Sequence, residues 1–107
     1  MILRRAENIY PGLYENSLHQ PGVALAVLVG VAHVDGDERV VACIELEADA
    51  SESTVRARLR EPMQRMGFAS PDAVVFMSVP CQGRSRKPNR PLASRQAAER
   101  LGWEVSI

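Results

Sequence analysis

The chain has 107 residues, 46% of them hydrophobic and 24% charged, and its formal net charge is zero. That length suits one small domain with a modest core, and the neutral balance removes any global pull toward nucleic acid or a membrane surface. Cys43 and Cys81 lack metal-ligand spacing and are too few for a disulfide framework, and the start, Met1-Ile2-Leu3-Arg4-Arg5, has no apolar stretch long enough for a signal peptide.

In chain order, Met1–Arg4 and Glu7–Tyr10 are short extended segments around a tight connection at Arg5-Ala6, which predicts an N-terminal β-hairpin. Pro11 predicts the start of a helix with Leu13, Tyr14 and Leu18 on one side, and Pro21-Gly22 ends it. Tyr10 and Tyr14 read as core residues, and His19 and His33 as plain surface or turn histidines without a partner at ligand spacing. Val23–Val31 is apolar on both faces, as a strand covered on both sides would be. The wider apolar run, Val23–Val34, is too short to span a bilayer, so the chain carries no membrane span and is expected in the cytosol.

Asp35-Gly36-Asp37 predicts a turn into a second strand, Arg39–Glu47, paired antiparallel with the first. Its Val40, Ala42, Ile44 and Leu46 face one way, while Val41 and Cys43 share the other face with Glu45 and Glu47. Cys43 therefore reads as a small core residue. Ser51 is an expected N-cap for a helix over Glu52–Glu61, with Val55, Leu59, Met63 and Met66 on one stripe. Pro62 predicts a break there, followed by a short turn and a stop at Gly67. Ala73–Val79 reads as a third strand, Pro80–Arg90 as a basic loop, and Pro91–Leu101 as a last helix stopped by Gly102. The fold class is α+β: a small mixed sheet of about three strands with helices packed on it, plus the N-terminal hairpin.

Charge is uneven along this frame. Residues 35–54 hold seven acids against Arg39, and residues 84–107 hold six bases against Glu99 and Glu104. Of the thirteen basic residues, only Lys87 is a lysine, and it lies in the basic loop Gly83-Arg84-Ser85-Arg86-Lys87-Pro88-Asn89-Arg90. Arginine and lysine differ chemically: a lysine ammonium is a compact charge on a flexible stem, suited to reach a reacting centre. The same loop has no interleaved aromatic residues, which argues against a nucleic-acid partner.

Two loops carry a resemblance. Met1-Ile2-Leu3-Arg4-Arg5-Ala6-Glu7-Asn8-Ile9-Tyr10-Pro11 resembles the M-I-x-R-G-G-E-N-I-Y-P segment of AMP-forming acyl-CoA synthetases, members of the adenylate-forming superfamily. Pro21-Gly22-Val23, Val29-Gly30-Val31 and Gly36-Asp37-Glu38-Arg39-Val40-Val41-Ala42 are similar to its P-G-V, V-G-V and G-E-x-V-x-A segments. Pro71-Asp72-Ala73-Val74-Val75-Phe76 resembles P-D-x-V-x-F, and Lys87-x-x-Arg90 resembles the terminal S-G-K-x-x-R. The series runs in order over residues 1–95.

The resemblance implies that residues 1–107 are a single C-terminal lid domain of a larger two-domain enzyme. The phosphate loop, acid pocket and adenine site would belong to a large N-terminal domain, which is absent here and is the expected partner. The implied function is that of the mobile domain of an ATP-dependent carboxylic acid (fatty acid) CoA ligase, a domain inactive by itself. Lys87 matches the family's catalytic lysine. Arg4, Arg5, Ala6, Glu7 and Asn8 match the loop that lines the channel for the acceptor thiol, and Arg84, Arg86 and Arg90 are candidates for steering phosphates. ATP and Mg2+ would be held mainly by the absent domain, the substrate would be a small-molecule carboxylic acid, and CoA or the pantetheine of a carrier protein would be the acceptor. No metal ligand is expected in this chain.

Three departures bear on the acceptor. Arg5-Ala6 stands where the family has Gly-Gly, Arg86 stands where it has the glycine before the lysine, and the segment from Pro80 to Lys87 is one residue longer. Side chains at glycine positions crowd a backbone that must approach a ligand. Arg5 either pairs with a CoA phosphate or obstructs the thiol. The alternatives are an acyl-AMP ligase that hands the adenylate to a carrier protein or another nucleophile, and a stand-alone, non-catalytic ligand-sensing or interaction module.

Overall fold

A computed structural model describes residues 2–4, 7–32 and 37–103. Strands β1 (Ile2–Arg4) and β2 (Glu7–Ile9) form the expected hairpin, with Ile2 opposite Ile9 and Arg4 opposite Glu7. Strand β3 (Val23–Ala32) pairs antiparallel with β4 (Glu38–Leu46), and β4 pairs parallel with β5 (Ala73–Phe76), giving the order β3-β4-β5. Helix α1 (Glu52–Arg65) connects β4 to β5, as a parallel pair requires. Helix α2 (Arg90–Leu101) closes the described fold. The turn at residues 35 and 36, and His33, lie outside the described residues.

The central β4 explains the two-faced apolar pattern. Val40, Ala42 and Ile44 pack with Leu28, Val55, Leu59 and the hairpin's Ile2 and Ile9 on one side. Val41 and Cys43 pack with Val27, Val29, Val75 and the α2 alanines Ala93, Ala97 and Ala98 on the other. The sheet is thus sandwiched, with α1 and the hairpin on one face and α2 on the opposite face. Small alanines let α2 lie close to the sheet, and burying these apolar faces is the main favourable term for folding.

Some expectations are corrected. The segment after Pro11 is two short 3-10 turns, Pro11–Leu13 and Glu15–Leu18, in place of one α-helix. In that geometry Leu18 is buried, Leu13 is 75% exposed, and Glu15 turns inward. Tyr10 is 53% exposed, so only Tyr14 joins the core margin. Helix α1 continues through Pro62 to Arg65. The carbonyl that loses its donor belongs to Arg58, which lies on the exposed side of the helix where water can serve it. Met63 and Met66 on the far side of Pro62 still pack on the core and hold the last turn in place. Ser51 precedes α1 as expected, but its hydroxyl contacts the Ser53 hydroxyl and caps no backbone N–H.

β5 ends at Phe76, sooner than the apolar run to Val79 suggested. Val79 stays buried, and its N–H donates to Glu45 Oε1 at 2.8 Å. The basic loop is a second small hairpin, β6 (Cys81–Gln82) with β7 (Lys87–Pro88). Gly102 ends α2 with a φ of 70°, the left-handed stop the sequence predicts.

Candidate functional site

The β6–β7 hairpin is built from its base upward. Asn89 fixes that base three ways. Its N–H donates to the Pro80 carbonyl at 2.8 Å, its side-chain amide donates to Gln82 Oε1 at 3.1 Å, and its Oδ1 accepts the Leu92 N–H at 3.2 Å. The last of these is an N-cap, so one residue ties the end of β7 to the start of α2. Arg90 and Pro91 then begin the helix, proline being tolerated where an N–H would have no helical partner.

Above this base, Gln82 pairs with Lys87 across the hairpin. The tip turns through Gly83-Arg84-Ser85-Arg86, closed by the Arg86 N–H on the Gly83 carbonyl at 3.2 Å. Gly83 has a φ of 76° and Arg86 a φ of 52°, the one non-glycine residue with positive φ among those described. Arg84, Arg86 and Lys87 are exposed, and no ion pair or side-chain hydrogen bond engages them among the described residues. The tip therefore presents two free guanidiniums and one ammonium on a braced stalk. Such a group can be carried to an anion held elsewhere.

Arg90 behaves differently. Its guanidinium grips the buried Glu15 with both outer nitrogens, Nη1 to Oε2 at 2.6 Å and Nη2 to Oε1 at 2.7 Å, and Nη1 also donates to the Leu28 carbonyl at 3.1 Å. Glu15 Oε2 accepts the Leu28 N–H at 2.7 Å as well. The Glu15 hydrogen bond raises the pKa of Arg90 and burial opposes it. Arg90 is thus committed to the fold. Glu15 is the residue that sequence reasoning missed; its one signal is an acid directly beside Tyr14, between the apolar Leu13 and Leu18.

The first loop divides in the same way. Arg4 donates through Nη1 to the carbonyls of Phe68 and Ser70, at 2.7 and 3.0 Å, and through Nη2 to Asp72. Its side chain fastens the N-terminal hairpin to the turn before β5. Glu7 and Asn8 are exposed on β2. Arg5 and Ala6, also expected in this loop, lie outside the described residues.

Cys43 is fully buried, and burial pushes its thiol up to about 12, which makes it inert as a nucleophile at neutral pH. His19 is exposed, with Nδ1 3.1 Å from the Glu15 carbonyl. Among the described residues no group of three or more His, Cys, Asp or Glu side chains is placed to hold a metal ion, and no helix is long and apolar enough to cross a membrane.

No family model matches this chain, and no curated protein does. Solved structures do. MatB from Rhodopseudomonas palustris superposes with a TM-score of 0.73 at 24% identity, over 94% of this chain and 20% of its own. The fatty acyl CoA synthetase of Mycobacterium tuberculosis gives 0.70 at 21% identity, again over 94% and 20%. The amide bond synthetase McbA of Marinactinospora thermotolerans gives 0.67 at 28% identity, over 90% and 20%. The chain has the fold found in AMP-forming acyl-CoA synthetases and related adenylate-forming enzymes. It spans about a fifth of the length of each of these adenylate-forming proteins. MatB has also been captured with ATP bound.

Proposed function

We propose that this chain is the mobile C-terminal domain of an ATP-dependent acid–CoA ligase, and that Lys87 is the cation it delivers to the adenylation site. The supporting observation is the position of Lys87: an exposed amine without a partner among the described residues, on a short hairpin braced by Asn89. In adenylation a carboxylate oxygen bonds to the α-phosphorus of ATP, the bond to the bridging oxygen breaks, and pyrophosphate leaves. Negative charge grows on the phosphate oxygens as this happens. A positioned ammonium in a water-excluded site offsets that charge where it develops. Arg84 and Arg86 beside it would draw the polyphosphate toward the tip. Supplying the amine from a moving domain delays completion of the site until substrates are bound. The domain then rotates, and the N-terminal hairpin would face the acceptor channel in place of the lysine hairpin.

A second reading keeps the first half-reaction and changes the acceptor. McbA, an amide bond synthetase, is among the similar structures at 28% identity. Arg5 and Ala6 stand where the resemblance expects two glycines beside the channel, and side chains there would narrow the path of a pantetheine thiol. Of the alternative acceptors, a nucleophile other than a pantetheine thiol fits those residues better than a carrier protein does. A fatty acid or another carboxylic acid would be the substrate.

The test uses the full-length protein that carries this domain. Lys87→Ala is expected to lower acid-dependent pyrophosphate exchange by about 10²–10³-fold. It should still consume preformed acyl-adenylate. Equal exchange in mutant and parent ends the lysine assignment. Measuring acyl transfer to CoA, to a carrier protein and to an amine separates the three acceptors.

A further inference from the structure

The Glu15–Arg90 pair joins parts of the chain that are distant in sequence, and it does so directly under the lysine hairpin. Arg90 lies three residues after Lys87 and one after Asn89, the residue that fixes the hairpin base. Its guanidinium is held by Glu15 from the second 3-10 turn and by the Leu28 carbonyl of β3. Glu15 in turn accepts the Leu28 N–H. The start of α2 is therefore clamped to one residue of the edge strand β3, Leu28, through both its N–H and its carbonyl, with a buried carboxylate between them. A second bond nearby, from the Ser94 hydroxyl to the Gly30 carbonyl at 2.6 Å, holds the next turn of α2 to the same edge.

A paired fork of this kind sets angle as well as distance, since both guanidinium teeth must meet both carboxylate oxygens. Removing it frees the first turn of α2 to shift on β3. The hairpin stands on that turn through Asn89, so a small shift at its base moves the exposed tip. Misplacement of a reacting group by about 1 Å costs on the order of 10²-fold in rate.

Resting on the reading of Lys87 as the adenylating cation, we propose that Glu15 and Arg90 are positioning residues for it: their bidentate pair, anchored on the backbone N–H and carbonyl of Leu28, aims the lysine hairpin. Neither side chain touches substrate. Their contribution to adenylation is made through Lys87.

A double-mutant cycle in the full-length protein tests this. Pyrophosphate exchange is measured in the parent, Glu15→Gln, Lys87→Ala and the double variant. Glu15→Gln is expected to lower exchange by roughly 10–100-fold when Lys87 is present. In the Lys87→Ala background the same change is expected to cost less than about twofold, because a lysine that is gone has no position to lose. Arg90→Lys, which keeps the charge but not the fork, is run through the same cycle and decides the matter if Glu15→Gln does not fold. The same fold-loss in both backgrounds means the pair merely stabilises the domain, and it overturns the proposal while leaving Lys87 in its role. If Lys87→Ala itself leaves exchange unchanged, the reading of Lys87 falls and the positioning role falls with it.

Discussion

Asp72 Oδ2 accepts from two parts of the chain at once, the Arg4 guanidinium and the Val40 backbone N–H, the latter at 2.8 Å. The Asp72 N–H returns a bond to the Val40 carbonyl at 2.7 Å. Asp72 thereby sets where β5 begins beside β4, and Arg4 locks the N-terminal hairpin onto that junction. Arg4→Ala removes one ion pair and leaves the Phe68 and Ser70 carbonyls short of donors. Hydrogen bonds to charged groups are worth about 1.5–3 kcal/mol each, and not additively. The expected loss is roughly 2–3 kcal/mol of unfolding free energy, read from urea denaturation. Arg4→Lys should recover little, because a single ammonium lacks the planar fork that serves three acceptors. A midpoint unchanged by Arg4→Ala would mean that packing of Ile2 and Ile9, with the Leu3 N–H on Glu38, suffices to hold the hairpin.

Arg86 carries a left-handed backbone, φ 52°, at the position where the resemblance places a glycine. A side chain there costs about 1–2 kcal/mol, because Cβ crowds the following carbonyl. Glycine relieves that strain but loses more freedom on folding. Arg86→Gly is expected to stabilise the domain by about 0.5–1 kcal/mol net, raising the melting temperature by roughly 2–8 °C. Arg86→Ala keeps the Cβ and removes only the charge, so it should leave the melting point where it is. Equal shifts in the two variants would assign the effect to charge.

The elements legible in the sequence are those whose pattern is local. The apolar run Val23–Val31 and the alternating Arg39–Glu47 appear as β3 and β4 with ends shifted by about one residue, because burial on both faces leaves a mark at every position. The Gly102 stop is equally local. Two-residue strands such as β6 and β7 have no periodicity to read, so the sequence of that hairpin is indistinguishable from a loop. Pro62 does not break α1, because its effect depends on what lies beside the Arg58 carbonyl. The long-range pairs were not legible at all. Glu15 and Arg90 are 75 positions apart, and Arg4 finds acceptors 64 to 68 positions away. Nothing in the composition distinguishes Arg90, which is clamped, from Arg84 and Arg86, which have no side-chain partner among the described residues. Only the packed fold separates an arginine that holds the domain together from one available to a phosphate.

Cys43 gives the fold a pH dependence of known sign. It sits fully buried at the centre of β4, and loss of hydration raises its pKa from 9.0 to about 12. The unfolded thiol ionises first as pH rises, so between those two values the folded state holds more protons than the unfolded one. Stability is therefore complete below pH 9.0 and falls as pH climbs toward about 12. The slope approaches about 1.4 kcal/mol per pH unit at its steepest. Cys43→Ala removes the titrating group and leaves a small cavity. At pH 7 it is expected to be less stable than the parent by about 1 kcal/mol. That deficit should shrink as pH rises above 9.0 and reverse at about pH 10, as the parent loses what the variant lacks. Parallel pH profiles for the two proteins would show that the thiolate finds water in the folded state. Alkylation gives a second reading of the same burial: with iodoacetamide at pH 8, Cys81, which is partly exposed, should label in the native protein, while Cys43 should label only after denaturation.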